Sequence, residues 1–390
     1  MVSTSSASAM GKISKPMVRV LSIFGTRPEA VKMAPVVQAL AGAPGVESRV
    51  CVTAQHREML DQVLEVFAIQ PDYDLNLMKP NQSLAQLTAD ILIHLEPVLQ
   101  EVKPHWVLVQ GDTTTVMAAA LLAFYNRIRV GHVEAGLRTN DRWQPFPEEI
   151  NRRIAGVVAD LHFAPTEHSR RNLLAEHVPP EAIVVTGNPA IDALRQITAR
   201  PCPPEAERLL GQMGVKPGGR QLVLVTAHRR ENFGQGLENI CLALRDLAQA
   251  YPDRLALLYA VHRNPNVQEP VYRLLGNTPN VFLTPPLDYL PMVHLLQRAY
   301  LVLTDSGGIQ EEATSLGKPT LVLREVTERP EGVEAGVLRL VGTERGRILE
   351  ESRRLLEDEA AYRAMAQAAN PFGDGHAAER IVRALLERSA

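Results

Sequence analysis

Three carboxylates in the first half of the sequence stand where an acid and a base could work together. Asp112 follows the apolar run "WVLVQ" in "GDTTT", Glu134 ends a second such run in "GHVEAGLRT", and Glu148 opens a helix in "FPEEINRR". Carboxylates that share a cleft push each other's pKa apart, which leaves one as a base and another as an acid. Plainer readings exist. Asp112 could simply cap the helix beginning at Thr113, although Glu134, fed by an apolar run and set beside small residues, is harder to explain so. In the second half, "TDSGGIQEE" joins a strand-like run to a Ser306-Gly307-Gly308 turn and a helix carrying Glu311 and Glu312. Glycine removes the Cβ that would keep backbone N–H groups from a phosphate at a helix start. Glu312 lies four residues beyond Gly308, roughly 6 Å up the helix at 1.5 Å per residue, where a carboxylate can accept both hydroxyls of a ribose. The alternative is that both acids merely complement the helix dipole.

Basic residues accompany these turns. Thr26 and Glu29 have capping-box spacing, Pro28 suits the first helical turn, and Arg27 and Lys32 follow at a helix start that already favours anions. "TAHRREN" places His228 and two arginines at a strand end, and "VHRNPN" places His262 and Arg263 at the next. Two His-Arg pairs facing one cleft suit phosphate recognition, whereas a lone histidine is more often structural. No GxGxxG, HExxH, Cys/His cluster or GxSxG is found, so neither a dinucleotide cofactor nor a metal site is expected.

These residues need elements to carry them. From Val18 onward short β-branched runs alternate with helical patterns: "VRVLSIFG", "SRVCVTA", "WVLVQG", "RVGHVEAG", "LHFAPT" and "AIVVTG", then "QLVLVTAH", "RLALLYAVH", "VFLTP", "LVLTDSGG", "PTLVLRE" and "VLRLVG". Strands separated by helices predict parallel sheets covered on both faces. An α/β protein of two doubly wound, Rossmann-like domains follows, facing each other across a cleft where the strand ends meet. Its 390 residues exceed what one core serves. The expected divisions are a disordered tail over 1–17, a first domain over 18–190, a second over 191–370 and a C-terminal helix over 371–390. The join falls within the Pro- and Gly-rich stretch between Asn188 and Arg220.

Composition narrows the partners. A formal net charge of -3 supplies no basic footprint for nucleic acid. The longest apolar stretch, Val116 to Tyr125, is too short to cross a bilayer. Three scattered cysteines without CxxC spacing argue against a disulfide framework, and with a start lacking an apolar leader core they point to the cytoplasm.

Taken in order, "FGTRPEAVKMAP", "TAQHREMLD", "GDTTT", "GHVEAGLRT", "PFPEEINRR", "TAHRRENFG", "HRNPNV", "TDSGGIQEE" and "TERPEGVEAG" resemble the non-hydrolysing UDP-N-acetylglucosamine 2-epimerases from Val18 to the C-terminal helix. That resemblance implies a fold of the glycosyltransferase-B type, with UDP held mainly by the second domain and a homodimer as the working unit. It implies interconversion of UDP-N-acetylglucosamine and UDP-N-acetylmannosamine for cell-envelope polysaccharide, without cofactor. The route is anti elimination of UDP to bound 2-acetamidoglucal and re-addition with a proton on the other face of C2. Asp112, Glu134 and Glu148 are then the proton-transfer residues. His228, Arg27 and Lys32 serve the departing diphosphate, and Arg152 orients the acids. Ser306, Gly307, Gly308, Glu312, Leu287, Met292 and Arg329 form the nucleotide site. Met292 stands where relatives commonly place phenylalanine. Gln55 and His56 match a loop near which relatives bind a second, activating substrate molecule, with His262 a further candidate for that site, but Glu58 and Asn81 replace the Gln and Arg of an activated relative. Three other outcomes stay open at this point: an epimerase that hydrolyses its intermediate, a glycosyltransferase of the same fold, or a UDP-sugar sensor without turnover.

Overall fold

Runs that are apolar on both faces can be buried only in a sheet covered from both sides, and the chain uses them so. The computed structural model describes residues 17–54, 57–79 and 82–389. All but the last residue of the expected tail lies outside the described residues, as do Gln55, His56, Asn81 and the side chain of Glu58.

The first sheet contains β1 (Val18–Phe24), β2 (Val46–Val52), β3 (Tyr73–Asp74), β4 (Trp106–Gln110), β5 (Arg129–Val133), β6 (Leu161–Ala164) and β7 (Ile183–Val185), in the order β3-β2-β1-β4-β5-β6-β7. The second contains β8 (Gln221–Thr226), β9 (Leu255–Ala260), β10 (Val281–Thr284), β11 (Ala299–Thr304), β12 (Thr320–Val322) and β13 (Leu338–Leu340), ordered β10-β9-β8-β11-β12-β13. Every pairing is parallel. Each run expected as a strand contributes one. Only β3 lacked a signal, being a two-residue edge piece held by β2.

Alternation along the strands feeds separate cores on the two faces. Val20, Phe24, Trp106 and Leu108 pack to one side of the first sheet, and Leu21, Ile23, Val107 and Val109 to the other. In the second sheet Val223, Val225 and Leu257 face one way, Leu222, Leu224 and Leu258 the other.

The helix Pro189–Thr198 lies at the expected division at 190. Its Ala193, Leu194 and Ile197 belong to the first sheet's core, whereas Ala206 and Leu210 of the next helix, Pro204–Met213, belong to the second. Ile191 of the helix Pro189–Thr198 packs with Val322 and Leu338 of the second sheet, so that helix is seated on both. The helix Ala377–Glu387 lays Ala378, Ile381, Val382 and Leu385 into the first core as well. Asp192 caps that helix by accepting from the Ala377 and Ala378 amides at 3.2 and 2.9 Å. The outgoing and returning chains touch where the Asn188 N–H donates to the Phe372 carbonyl at 2.8 Å. Gly187 has φ +84, and a Cβ there would lie 3.2 Å from Gly373 Cα, so glycine is required on both counts.

In each sheet the strand order reverses beside the first strand, at β1/β4 and at β8/β11. A crevice opens beyond the strand ends at such a point. The loops there carry Thr26 and Arg27, Asp112, His228 and Ser306.

Candidate active site

The turn after β1 is built by Glu29. Its buried carboxylate accepts from the Gly25 and Thr26 amides at 3.1 and 2.8 Å and from the Thr113 hydroxyl at 2.8 Å. One acid thereby stitches the two loops of the first switch point together. A Cβ at Gly25 would fall 2.0 Å from Thr53 Oγ1, so that turn passes where only glycine fits. Thr113, not Asp112, caps the helix Thr114–Tyr125, accepting from the Val116 amide. The Asp112 carboxylate is thus left for other partners.

Asp112 meets Arg152, Nη2 to Oδ2 at 2.5 Å, while the Asn151 amide donates to its carbonyl at 3.0 Å. Both partners come from the helix Glu148–Val158. Burial pushes the Asp112 carboxyl up and the neighbouring Glu134 adds to this, against the pull of Arg152. Burial likewise raises Glu148, with Asp112, Arg152 and Arg229 the charges that reach it. Arg229 follows β8, so Glu148 feels both sides of the cleft.

Glu134 directly follows β5 in a left-handed conformation, φ +60, rare for a residue with a side chain. Such strain persists where surroundings over-determine it. Here Lys32 Nζ lies 2.6 Å from each carboxylate oxygen, and the amides of Gln110 and Asn188 donate at 2.5 and 2.9 Å. Burial disfavours the charge, but Lys32 and Arg329 outweigh it and hold the carboxyl below its ordinary value. Lys32 was expected at an anion-binding helix start. It sits more than a turn inside the helix Arg27–Gly42 and is committed to Glu134.

On the facing side, the helix Gly307–Ser315 begins directly after Ser306. The Ser306 N–H donates to Thr304 Oγ1 at 2.9 Å, which leaves its hydroxyl and the following amides for a ligand. Gly307 is buried and Gly308 half-buried at the helix start, and glycine serves at the two for different reasons. A Cβ on Gly307 would come within 2.9 Å of the Arg329 guanidinium, whereas the space above Gly308 is open. Arg329 is buried against Glu311, Nε to Oε1 at 2.7 Å, and reaches Glu328 at 3.2 Å. Glu312, one position on, is pushed up to about 7 by burial, with Tyr289, Glu311, Arg27 and Lys32 around it. Arg27 spans the cleft to the Leu287 carbonyl at 3.3 Å. Met292 is half-buried beside Leu287 in the second core.

Asp305 organises the His228 loop by accepting from the His228 and Arg229 amides at 2.7 Å each and from Asn232 at 3.1 Å. Its second oxygen lies 3.6 Å from His228 Nδ1. Burial lowers the His228 pKa against the pull of Asp305, which favours the neutral ring. Proton-bearing Nδ1 toward Asp305 would leave Nε2 as the ring nitrogen for a ligand. His262 stacks on His228 with centroids 5.3 Å apart.

The structure thus groups Asp112, Glu148 and Arg152, then Lys32, Glu134 and Arg329, then Arg27, Leu287 and Glu312, and finally His228 with His262. Gln55 and His56 fall outside the described residues. Four participants had escaped sequence reading. Gln110 and Asp305 were available as polar residues at the ends of apolar strands. Asn188 looked like a boundary marker and Glu311 like a dipole complement, and neither carries a local signal for a partner from another element. Among the described residues, no group of three or more His, Cys, Asp or Glu side chains is arranged to hold a metal ion.

Comparison with known proteins places this architecture. A family model described as UDP-N-acetylglucosamine 2-epimerase matches residues 38–386. The chain is 56% identical over 372 residues to the UDP-N-acetylglucosamine 2-epimerase of Escherichia coli (strain K12), covering 94% of this chain and 98% of that protein. The enzyme of that description from Yersinia pestis is 56% identical over 370 residues, covering 94% and 98%. Among solved structures, the UDP-GlcNAc 2-epimerase from Neisseria meningitidis bound to UDP-GlcNAc superposes with a TM-score of 0.87 at 49% identity, covering 95% of this chain and 100% of that one. The UDP-GlcNAc 2-epimerase from Methanocaldococcus jannaschii, in complex with UDP-GlcNAc and UDP, gives a TM-score of 0.80 at 33% identity, covering 95% and 100%. The two parallel-sheet domains match those glycosyltransferase-B-like structures.

Proposed function

The chain belongs to the UDP-N-acetylglucosamine 2-epimerase family, and from that premise we propose that it interconverts UDP-N-acetylglucosamine and UDP-N-acetylmannosamine without releasing the free sugar. The observation that carries this reading is the pairing of a helix-start grip on one sheet with three buried or half-buried carboxylates on the other. The C2 hydrogen of the sugar is too weakly acidic for removal alone, so its departure accompanies loss of UDP from C1. Breaking C2–H and C1–O leaves 2-acetamidoglucal and UDP in the cleft, and the reverse addition with the proton on the opposite face completes the epimerisation. Two faces of C2 require two proton carriers, and Asp112, Glu134 and Glu148 supply them in this proposal.

The same reading gives the departing diphosphate to Arg27, the His228 ring, the Ser306 hydroxyl and the Gly307 and Gly308 amides. Preformed donors of this kind stabilise developing charge without reorganisation. Lys32 serves by holding Glu134 ionised, Arg152 orients Asp112, Glu312 accepts from the ribose, and Leu287, Met292 and Arg329 shape the nucleotide pocket. A cytoplasmic location and a homodimer complete the proposal. Exposed Ile93, Phe124, Tyr125 and Val157 on the neighbouring helices Leu84–Val102, Thr114–Tyr125 and Glu148–Val158 offer apolar surface for a second copy. Light scattering at twice the 42.9 kDa chain mass tests the dimer.

Proton NMR of the protein with UDP-N-acetylglucosamine in D2O tests the reaction. UDP-N-acetylmannosamine carrying deuterium at C2 is expected. Free N-acetylmannosamine with UDP would move the protein to the hydrolysing class, and an unchanged spectrum with bound nucleotide would make it a sensor.

A further inference from the structure

Asn188 occupies a place that the reaction scheme leaves unused. It is 1% exposed and lies where the chain leaves the first sheet. Its Nδ2 donates to Glu134 Oε1 at 2.9 Å on one side and to Glu311 Oε2 at 2.5 Å on the other. Glu311 rides on the second sheet's helix Gly307–Ser315 and is held in turn by Arg329 at 2.7 Å. The orientation of the amide is forced by chemistry, since a flipped carbonyl would face two carboxylate oxygens. Asn188 cannot drift either. Its Oδ1 accepts from the Ala190 amide at 3.0 Å and its own N–H is bound to the Phe372 carbonyl at 2.8 Å. A neutral group with two hydrogens on one nitrogen can join two buried carboxylates without adding charge. A lysine would change the local balance, and a serine has a single proton to give.

We propose that Asn188 is a positioning residue, tying the Glu134 carboxylate to the Glu311–Arg329 pair so that the acid/base group is aligned through the same contact that joins the two domains. This deepens the epimerase reading and rests on it. Glu134 keeps Lys32 and Gln110 when the amide is lost, so its charge stays balanced. What is lost is the bond that fixes Oε1 relative to the nucleotide side. A displacement of this kind is felt in the chemical step far more than in binding.

Asn188→Ser keeps an oxygen suited to starting the helix Pro189–Thr198 and removes the shared amide. Glu311→Gln keeps the shape and an acceptor for Arg329 but turns an amide toward Asn188. For each variant the expected result is kcat lowered by about 10- to 100-fold, while KM and the Kd for UDP stay within about threefold. The double variant is expected to lose no more than the worse single one, because both break one chain of bonds. The titratable groups acting on Glu134 from its surroundings are Lys32, Arg329, Glu311, Asp112 and His132. Loss of the Asn188 donor removes a bond that favours the ionised form, so the Glu134 limb of the kcat profile should move to higher pH.

Unchanged kcat, additive losses in the double variant, or a fall in kcat matched by an equal fall in UDP affinity overturns the positioning role. Should Asn188→Ser fail to fold, Glu311→Gln alone carries the test by the same split between kcat and KM. The wild type is assayed first. Hydrolysis in place of epimerisation corrects the reaction assignment and leaves the kcat comparison valid, since elimination is shared. A wild type that binds UDP without turnover overturns both readings before any variant is made.

Discussion

At the scale of single residues the carboxylates around the cleft are tuned in opposite senses. Glu134 is kept ionised by Lys32 and Arg329 despite burial, while burial raises Asp112, Glu148 and Glu312. Glu134→Gln removes the charge that Lys32 was balancing, and kcat should fall by at least about 100-fold with the Kd for UDP, measured by calorimetry, within about threefold. Glu312 should behave in the reverse way. Burial pushes its carboxyl up to about 7, and only the ionised form offers acceptors to both ribose hydroxyls. Affinity for UDP is therefore full above that pH and weakens as pH falls through it, approaching about tenfold per pH unit. Glu312→Gln should weaken UDP by about 10- to 100-fold at pH 8 and abolish this dependence. A titration of wild type showing equal affinity at pH 5.5 and pH 8 would remove Glu312 from the ribose.

At the scale of elements, the site depends on loops being held at fixed separation. Glu29 does this for the first switch point through two amides and the Thr113 hydroxyl, all from full burial. Glu29→Ala leaves these donors without partners in a buried turn, at a cost of about 1 to 3 kcal/mol. The midpoint of urea unfolding should fall, and kcat with it, because Asp112 lies beside Thr113. Glu29→Gln retains part of the acceptor set and should fall between. The sequence carried the capping-box spacing of Thr26 and Glu29 in full, since that bond is local. It did not carry the third bond to Thr113, which is made between residues 84 positions apart.

At the scale of the molecule, the last helix locks the assembly by packing on the first core and taking its cap from Asp192. Asp192→Ala should destabilise by about 1 to 2 kcal/mol, read in urea unfolding, with wild-type kcat in the fraction that remains folded. An altered kcat at full folding would show instead that the helix sets the geometry of the cleft. By itself the sequence determined what local chemistry determines. It marked twelve of the thirteen strands found among the described residues, because parallel buried strands must be apolar on both faces. It also marked the carboxylates after β4 and β5 and at the start of the helix Glu148–Val158, together with the glycine turn after β11. The tertiary structure alone decided the partners. That Lys32 belongs to Glu134, that Arg329 needs Gly307 bare, and that Asn188 joins Glu134 to Glu311 are contacts between elements far apart in the chain. Nothing in residue type or spacing records such a contact. It exists only once a sheet has folded and, for Asn188, once the two sheets face one another.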